Sequence, residues 1–338
     1  MLKELAPHFQ FFIASEIPES YFRRFTPELT FRKVSLDTGC AQADFIAVDR
    51  PRSFLNLAQF LEHEESLCEK EIQWLEENEI DLLISDVPSV PIKAASEIGI
   101  PSMVIANFNW HDIYSGFPEA SRYPELISTL RDHYSTCNMQ VLPQLHLENN
   151  VIPRLETIGL LSLPGCDIRN ELQELLPENA RNRPWVFIYL GQYDCSEIQW
   201  QKLEQMSDYF FLTRDEVPED IACPNLEVLD EHFAFPDLMA SSDLVLTKAG
   251  YSTLATAFSH NKPVVTCERP GFKEFEAVQS FLTDNNIGQI LASEPFYNLE
   301  WQDSIKKALK LTVKDKIETH GERDIKTLID NLLNTSSG

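Results

Sequence analysis

The sequence predicts an α/β protein built as two doubly wound halves, with mainly parallel sheets facing a cleft. Short apolar runs alternate with helix-length stretches along the whole chain, the pattern left by successive βαβ units. Runs such as Leu244–Thr247 are apolar throughout, as strands buried on both faces of a parallel sheet are. The chain has 338 residues, 43% of them hydrophobic, enough for two domains of ordinary size.

In the first half the strands are expected at Phe9–Ala14, Leu29–Val34, Asp81–Ser85 and Pro101–Ala106. Between them, Arg52–Glu77 carries Phe54, Leu55, Leu57, Phe60 and Leu61 at helical spacing and predicts one long helix. Ala94-Ala95 precede Gly99-Ile100-Pro101, a helix stop leading into a strand. A loop-rich stretch at Pro143–Pro153 divides the chain into domains 1–150 and 151–338. In the second half, strands are expected at Trp185–Leu190, Tyr209–Thr213, Leu226–Val228, Leu244–Thr247, Pro263–Thr266 and Gln289–Leu291. Helices are expected at Ser196–Met206, Phe235–Ala240, Ser252–His260, Phe275–Asp284 and Asp324–Leu333. No repeat of solenoid period occurs.

Composition excludes several classes. The net charge is −25, from 28 basic and 53 acidic residues, which argues against nucleic acid or an anionic membrane surface as partner. No apolar run approaches a membrane span, and MLKELAPHFQFF lacks the features of a signal peptide. The cysteine count, 7, is odd and no C-x-x-C occurs, which points to reduced thiols in a cytoplasmic protein. The eight histidines form no metal-binding pattern, so no metal site is expected.

Asp243–Val278 carries the most information. The strand Leu244–Thr247 leads into Lys248-Ala249-Gly250-Tyr251, a turn in which Gly250 can take positive φ, and Ser252 and Thr253 then open a helix as capping residues. A strand, a glycine turn and a helix N-terminus form a ready anion site, usually occupied by phosphate. The plainer alternative is an ordinary loop capped by Ser252. Favouring a site, Glu268–Glu274 leaves the next strand with further polar groups, and open α/β sheets bind ligands at the carboxyl ends of their strands.

The spacings Asp243-x-Val245-x-x-Lys248-x-Gly250-Tyr251-x-Thr253 and Pro263-x-Val265-x-x-x-Arg269-x-x-Phe272-x-Glu274 resemble the nucleotide-sugar half of GT-B glycosyltransferases. The whole resembles the glycosyltransferase-like N-terminal domain of L-arabinokinases. Leu36-Asp37-Thr38-Gly39, Gln42-Ala43-Asp44, Val48-Asp49-Arg50, Ser85-Asp86-Val87 and Asn107-Phe108-Asn109-Trp110 extend the resemblance over roughly residues 5–310. It implies two Rossmann-like domains, with the closing helix crossing back to the first. It implies metal-independent, cofactor-free transfer of a hexose from a nucleotide-diphosphate sugar to a hydroxylated acceptor. Homo-oligomerisation is left open.

By the same resemblance Gly191-Gln192 contacts the donor diphosphate, although relatives more often carry two glycines there. Gly250, Ser252 and Thr253 hold phosphate, Lys248 and Arg269 supply cations, and Glu274 or Glu276 binds hydroxyls of ribose or sugar. Thr256 stands where many relatives have a ribose-binding Glu. Phe233 and Phe235 lie where the base would sit, or else pack in the core. In the first domain Asp86 is the candidate general base and His111 the second; Asp86 could equally cap the following helix. Trp110 and Tyr114 either stack on a sugar or fill the core.

Two further readings stand beside the enzyme. One is a nucleotide-sugar-binding module without chemistry. The other, a sugar kinase, is disfavoured because no Gly/Ser-rich ATP loop occurs. Relatives begin with an apolar strand and a Gly/His-rich loop. Here Leu2–Pro7 resembles only the end of the helix that follows, which leaves three alternatives for the central strand position: the start is misplaced, a neighbouring strand closes the gap, or another chain fills it; impaired catalysis is expected.

Overall fold

The structure, a computed structural model, describes residues 1–149, 151–191, 195 and 198–336. Two compact units emerge: Met1–Ala41, Asp49–Gly159 and His320–Gly338 form the first, Gln42–Val48 and Leu160–Thr319 the second. All pairings between strands among the described residues are parallel.

The first unit runs α1 (Leu2–Leu5), β1 (Phe11–Ser15), α2 (Glu19–Phe22), β2 (Leu29–Lys33), α3 (Arg50–Leu61), α4 (Glu64–Glu77) and β3 (Leu83–Ser85). It continues with α5 (Val90–Glu97), β4 (Ser102–Ile105), α6 (Trp110–Ser115), α7 (Pro124–Ser135), β5 (Met139–Pro143) and β6 (Leu155–Ile158). Its strands form two sheets among the described residues, β1-β2 and β3-β4-β5-β6. β1 and β3 thus each pair on one side only. Both lie against α4: Phe12 of β1 meets the Trp74 ring edge-on at 6.2 Å, and Leu83 of β3 packs in the cluster that holds Trp74 and Leu75.

Three expectations are corrected here. The long helix is two helices, interrupted at Glu62–His63. Neither residue is a helix breaker; packing decides, since α3 rests on α7 while α4 rests on α5. Strands β5 and β6, absent from the expected set, flank the loop expected at Pro143–Pro153. The reason is Gln140, which is fully buried in β5, donates from Nε2 to Ala106 O at 3.2 Å and accepts from Asn149. A buried glutamine with satisfied hydrogen bonds is compatible with a central strand but masks it in a hydrophobicity pattern. Because β6 pairs with β5, the first unit extends to Gly159 rather than ending at 150.

The second unit contains α8 (Arg169–Leu175), β7 (Trp185–Tyr189), β8 (Phe210–Thr213), β9 (Leu226–Val228), α9 (Phe235–Ser241), β10 (Leu244–Thr247) and α10 (Tyr251–Ser259). Then follow β11 (Val264–Cys267), α11 (Glu274–Asn285), β12 (Gly288–Leu291), α12 (Ser293–Tyr297) and α13 (Gln302–Ala308). Trp200–Gln205, within the stretch expected as a helix, is a 3-10 turn. The strand order is β12-β11-β10-β7-β8-β9, so the chain winds outward in both directions from the pair β7–β10. Asp243 ties the starts of these strands. Its carboxylate accepts from Trp185 N at 2.7 Å and from both terminal nitrogens of Arg169, whose guanidinium lies 4.3 Å over the Trp185 ring.

The closing helix α14 (Glu322–Ser336) belongs to the first unit, where it meets α1 and buries Ile325, Ile329 and Leu332 at helical spacing. Just before it, a Cβ on Gly321 would lie 2.1 Å from the carbonyl oxygen of Gly159. Gly321→Ala should therefore force a backbone shift and lower stability by about 1–3 kcal/mol, as overpacking does. Thermal denaturation measures this, and an unchanged Tm would show that the contact yields freely.

Candidate functional site

In an open α/β sheet the ligand crevice lies outside the carboxyl ends of the strands where winding reverses. In the second unit those strands are β7 and β10. Gly191 follows β7 with φ of 92°, a conformation glycine adopts at little cost. Just before it, Leu190 N donates to Asp215 Oδ2 at 2.6 Å, and Asp215 N donates to Thr213 Oγ1 at 3.0 Å. Asp215 is buried and pins the turn; its only sequence signal is its place directly after β8. Gln192 lies outside the described residues.

Thr247 Oγ1 donates to Tyr189 O at 2.7 Å and joins the ends of β10 and β7. After it, Gly250 has φ −108° and ψ 133°, not positive φ. It is itself the N-cap of α10, a position that favours extended backbone. Ser252 and Thr253 lie in the first turn, and no side chain caps the helix. A Cβ on Gly250 would meet only Lys248 Cε, at 3.9 Å, so what the glycine provides is open approach to the helix end. The first-turn N–H groups and the helix dipole point where an anion would sit. Ser252 is exposed and Thr253 buried.

Lys248 is half-buried, and desolvation of its ammonium pushes its pKa down to about 8. Arg269 pushes it the same way, while Glu274 and Asp215 oppose. Arg269 and Glu274 are both buried and lie 3.6 Å apart as an ion pair; Glu276 is exposed. Thr256 is fully buried: its Oγ1 donates to Ser252 O at 2.7 Å and accepts from Leu163 N at 3.3 Å. Phe235 stacks on Tyr189 with centroids 5.1 Å apart. The fold thus brings Gly191, Lys248, Gly250, Ser252 and Thr253 to the same pair of strand ends, with Arg269 and Glu274 behind the next strand.

In the first unit, Asp86 follows β3 and His111 lies in the first turn of α6, after the adjacent strand β4. Asp86 does not cap α5, whose N-cap is Ser89, and its carboxylate accepts no hydrogen bond among the described residues. The residue is exposed to solvent, although protein crowds its carboxyl. Desolvation pushes its pKa up to about 6, and the charge of Asp37 adds to this. Next to it, Val87 has φ of 82°, a strained value for a β-branched residue. Tyr134 Oη donates to Val87 O and Ser85 Oγ donates to Pro88 O at 2.7 Å, so the turn that presents Asp86 is held from both sides. Strain of this kind persists only where its surroundings impose it, and clusters at functional sites.

His111 Nδ1 is buried without a hydrogen-bond partner, 3.5 Å from Asp112 Oδ1. Trp110 Nε1 donates to Asp37 Oδ2 at 2.8 Å, and Tyr114 Oη donates to Gly39 O at 2.7 Å. Asp37, Gly39, Ser89, Trp110 and Tyr114 line a cavity of about 10 Å³, roughly the space one water needs. Ser89 further bonds His133 Nδ1 at 3.0 Å, and His133 Nε2 contacts Glu64 at 2.9 Å, a buried link between α4, α5 and α7 that the sequence does not announce. No group of metal-ligating side chains occurs among the described residues.

No family model matches the sequence. L-arabinokinase of Arabidopsis thaliana is 26% identical over 305 residues, which cover 85% of this chain and 28% of that protein. The chain thus spans little more than a quarter of that relative's length. Among solved structures, the UDP-glucosyltransferase of Polygonum tinctorium that glucosylates indoxyl superposes with a TM-score of 0.62 at 14% identity. The match covers 99% of this chain and 89% of that one. The spinosyn rhamnosyltransferase SpnG complexed with thymidine diphosphate gives 0.56 at 14% identity, covering 83% and 80%. The chain has the α/β fold of the GT-B glycosyltransferases, with parallel sheets in both units.

Proposed function

We propose that the protein transfers a hexose from a nucleotide-diphosphate sugar to a hydroxylated acceptor without a metal ion. The observation that carries this reading is the uncapped start of α10 beside Lys248, at the strand pair where winding reverses. Its glycine-flanked amides and a cation suit a diphosphate, and the same groups would stabilise that diphosphate as it leaves. Structural likeness to a UDP-glucosyltransferase and to a transferase complexed with thymidine diphosphate supports a nucleotide donor. Asp86 is the base that takes the acceptor proton; His111 is second in line. Its value near 6 leaves it ionised at neutral pH yet basic enough to accept a proton.

A second reading, a nucleotide-sugar-binding module without turnover, draws on Thr256. Its hydroxyl is committed to Ser252 O and Leu163 N, so it offers little to a ribose. The two readings separate in a thermal-shift screen with nucleoside diphosphates and their sugars, followed by transferase and donor-hydrolysis assays. A ligand at about 100 times its Kd adds roughly 2.7 kcal/mol. Stabilisation with turnover supports the enzyme, stabilisation alone supports the module, and neither would refute both.

Asp86→Asn should lower turnover about a hundredfold or more while UDP affinity holds. In the unchanged protein kcat/KM should rise with pH through about 6, as the Asp86 carboxyl loses its proton. Asp37→Asn, which removes the neighbouring charge, should shift that limb to lower pH. Turnover that survives in Asp86→Asn would move the role to His111.

Lys248 is charged below about 8 and neutral above it. A diphosphate favours the charged form, so UDP binding should take up a proton near that pH and weaken as pH rises beyond it, by up to about tenfold per unit. Calorimetric titration across pH 7 to 10 measures both, and Lys248→Met should flatten the profile. A flat profile in the unchanged protein would exclude Lys248 as a diphosphate contact.

Excess chelator should leave turnover unchanged. Loss restored by magnesium or manganese would overturn metal independence.

A further inference from the structure

Gln42–Val48, early in the sequence, belongs to the second unit. The segment closes on itself: Gln42 and Val48 form an antiparallel bridge, and Asp44 Oδ1 accepts from Ile46 N at 2.6 Å and Ala47 N at 2.7 Å. Its tip enters the core. Phe45 and Ile46 are 1% and 3% exposed and pack in the cluster containing Leu190, Leu246 and Cys267, the residues at the carboxyl ends of β7, β10 and β11. The Phe45 ring meets Tyr297 at 5.1 Å and Phe296 at 6.2 Å.

Arg269 grips the same segment. Its Nε donates to Ile46 O at 3.1 Å and its Nη2 to Gln42 Oε1 at 3.3 Å. Its Nη1 lies 3.6 Å from Glu274, and its guanidinium plane lies 4.1 Å from the centre of the Phe272 ring. Two donors therefore face the loop, the third nitrogen faces a carboxylate, and one face of the plane is covered. The side chain is 6% exposed.

We propose that Arg269 is a positioning residue, not a diphosphate ligand: it fixes the Gln42–Val48 loop as a wall of the anion site beside Lys248. This rests on the reading of that site given above. A planar fork can donate in two directions at once, whereas an ammonium cannot replace that geometry although it keeps the charge. The two roles therefore respond differently to substitution. A ligand role tolerates lysine and ignores the loop; a positioning role fails with lysine and depends on the loop.

The test uses the full chain in the variants Arg269→Lys and Phe45→Ala, each checked for native circular dichroism. Without nucleotide, Arg269→Lys should be cut by chymotrypsin after Phe45 about tenfold faster than the unchanged protein, because cleavage follows the open population. UDP affinity should fall by a similar factor in Arg269→Lys and in Phe45→Ala, although Phe45→Ala removes no charge. Phe45 still protected in Arg269→Lys would overturn the proposal. So would Phe45→Ala that binds UDP normally while Arg269→Lys does not. If the unchanged protein does not bind UDP, the nucleotide reading fails, and chymotryptic protection alone decides whether Arg269 anchors the loop.

Discussion

The reversal of winding between β7 and β10 is the constraint on which the second unit depends. Parallel neighbours need crossover connections, and a chain that crosses outward both ways leaves one pair of strands whose following loops diverge. Everything assembled at that pair comes from short local segments: a glycine turn after β7, a lysine and a helix start after β10. The ties beneath are equally local in type. Asp215 fixes one turn through the Leu190 amide, and Thr247 fixes the other through the Tyr189 carbonyl. Neither contact requires a long side chain, so the geometry is stiff where an anion would be held.

Charge acts at two ranges. The protein carries −25 overall, which repels an anionic ligand at a distance, but salt damps that field within about 10 Å. Inside that range the local balance rules. Desolvation weakens the charge of Lys248, Arg269 adds to this while Glu274 and Asp215 oppose it, and the outcome is a lysine that gives up its proton at about pH 8. In the first unit the balance is reversed. Desolvation, with the charge of Asp37 behind it, raises the pKa of the Asp86 carboxyl. A cation whose charge is weakened and a carboxylate made more basic than usual are the kinds of group that proton-coupled chemistry employs.

The strand–turn–helix at β10–α10 was legible because an unbroken apolar run, a glycine and two small polar residues are contiguous in sequence. What glycine does there was not legible. Gly250 leaves a helix end uncovered in ordinary extended backbone, whereas Gly191 is the one in the left-handed region. Asp215 was missed because its role is a hydrogen bond to an amide 25 positions earlier. Val87 gave no sign of strain, since the turn is imposed by Tyr134, 47 positions away. β5 hid behind a buried glutamine, and the break between α3 and α4 has no breaker residue at all. The common thread is that local order is written locally, while satisfaction of a buried polar atom depends on a distant partner.

Neither unit is continuous along the chain. The second holds Phe45 and Ile46 in its core, and the Arg269–Ile46 bond spans 223 positions; the first waits for α14, the last helix. Contacts so distant in sequence add loop-closure cost before any burial rewards it, which slows folding. On the ribosome, the segment that completes the second core emerges long before that core exists, and the helix that completes the first emerges after all of the second unit. The first unit therefore cannot be completed before the whole of the second has been synthesised. A cut at the boundary between Gly159 and Leu160 would leave two fragments, each missing part of its own interior.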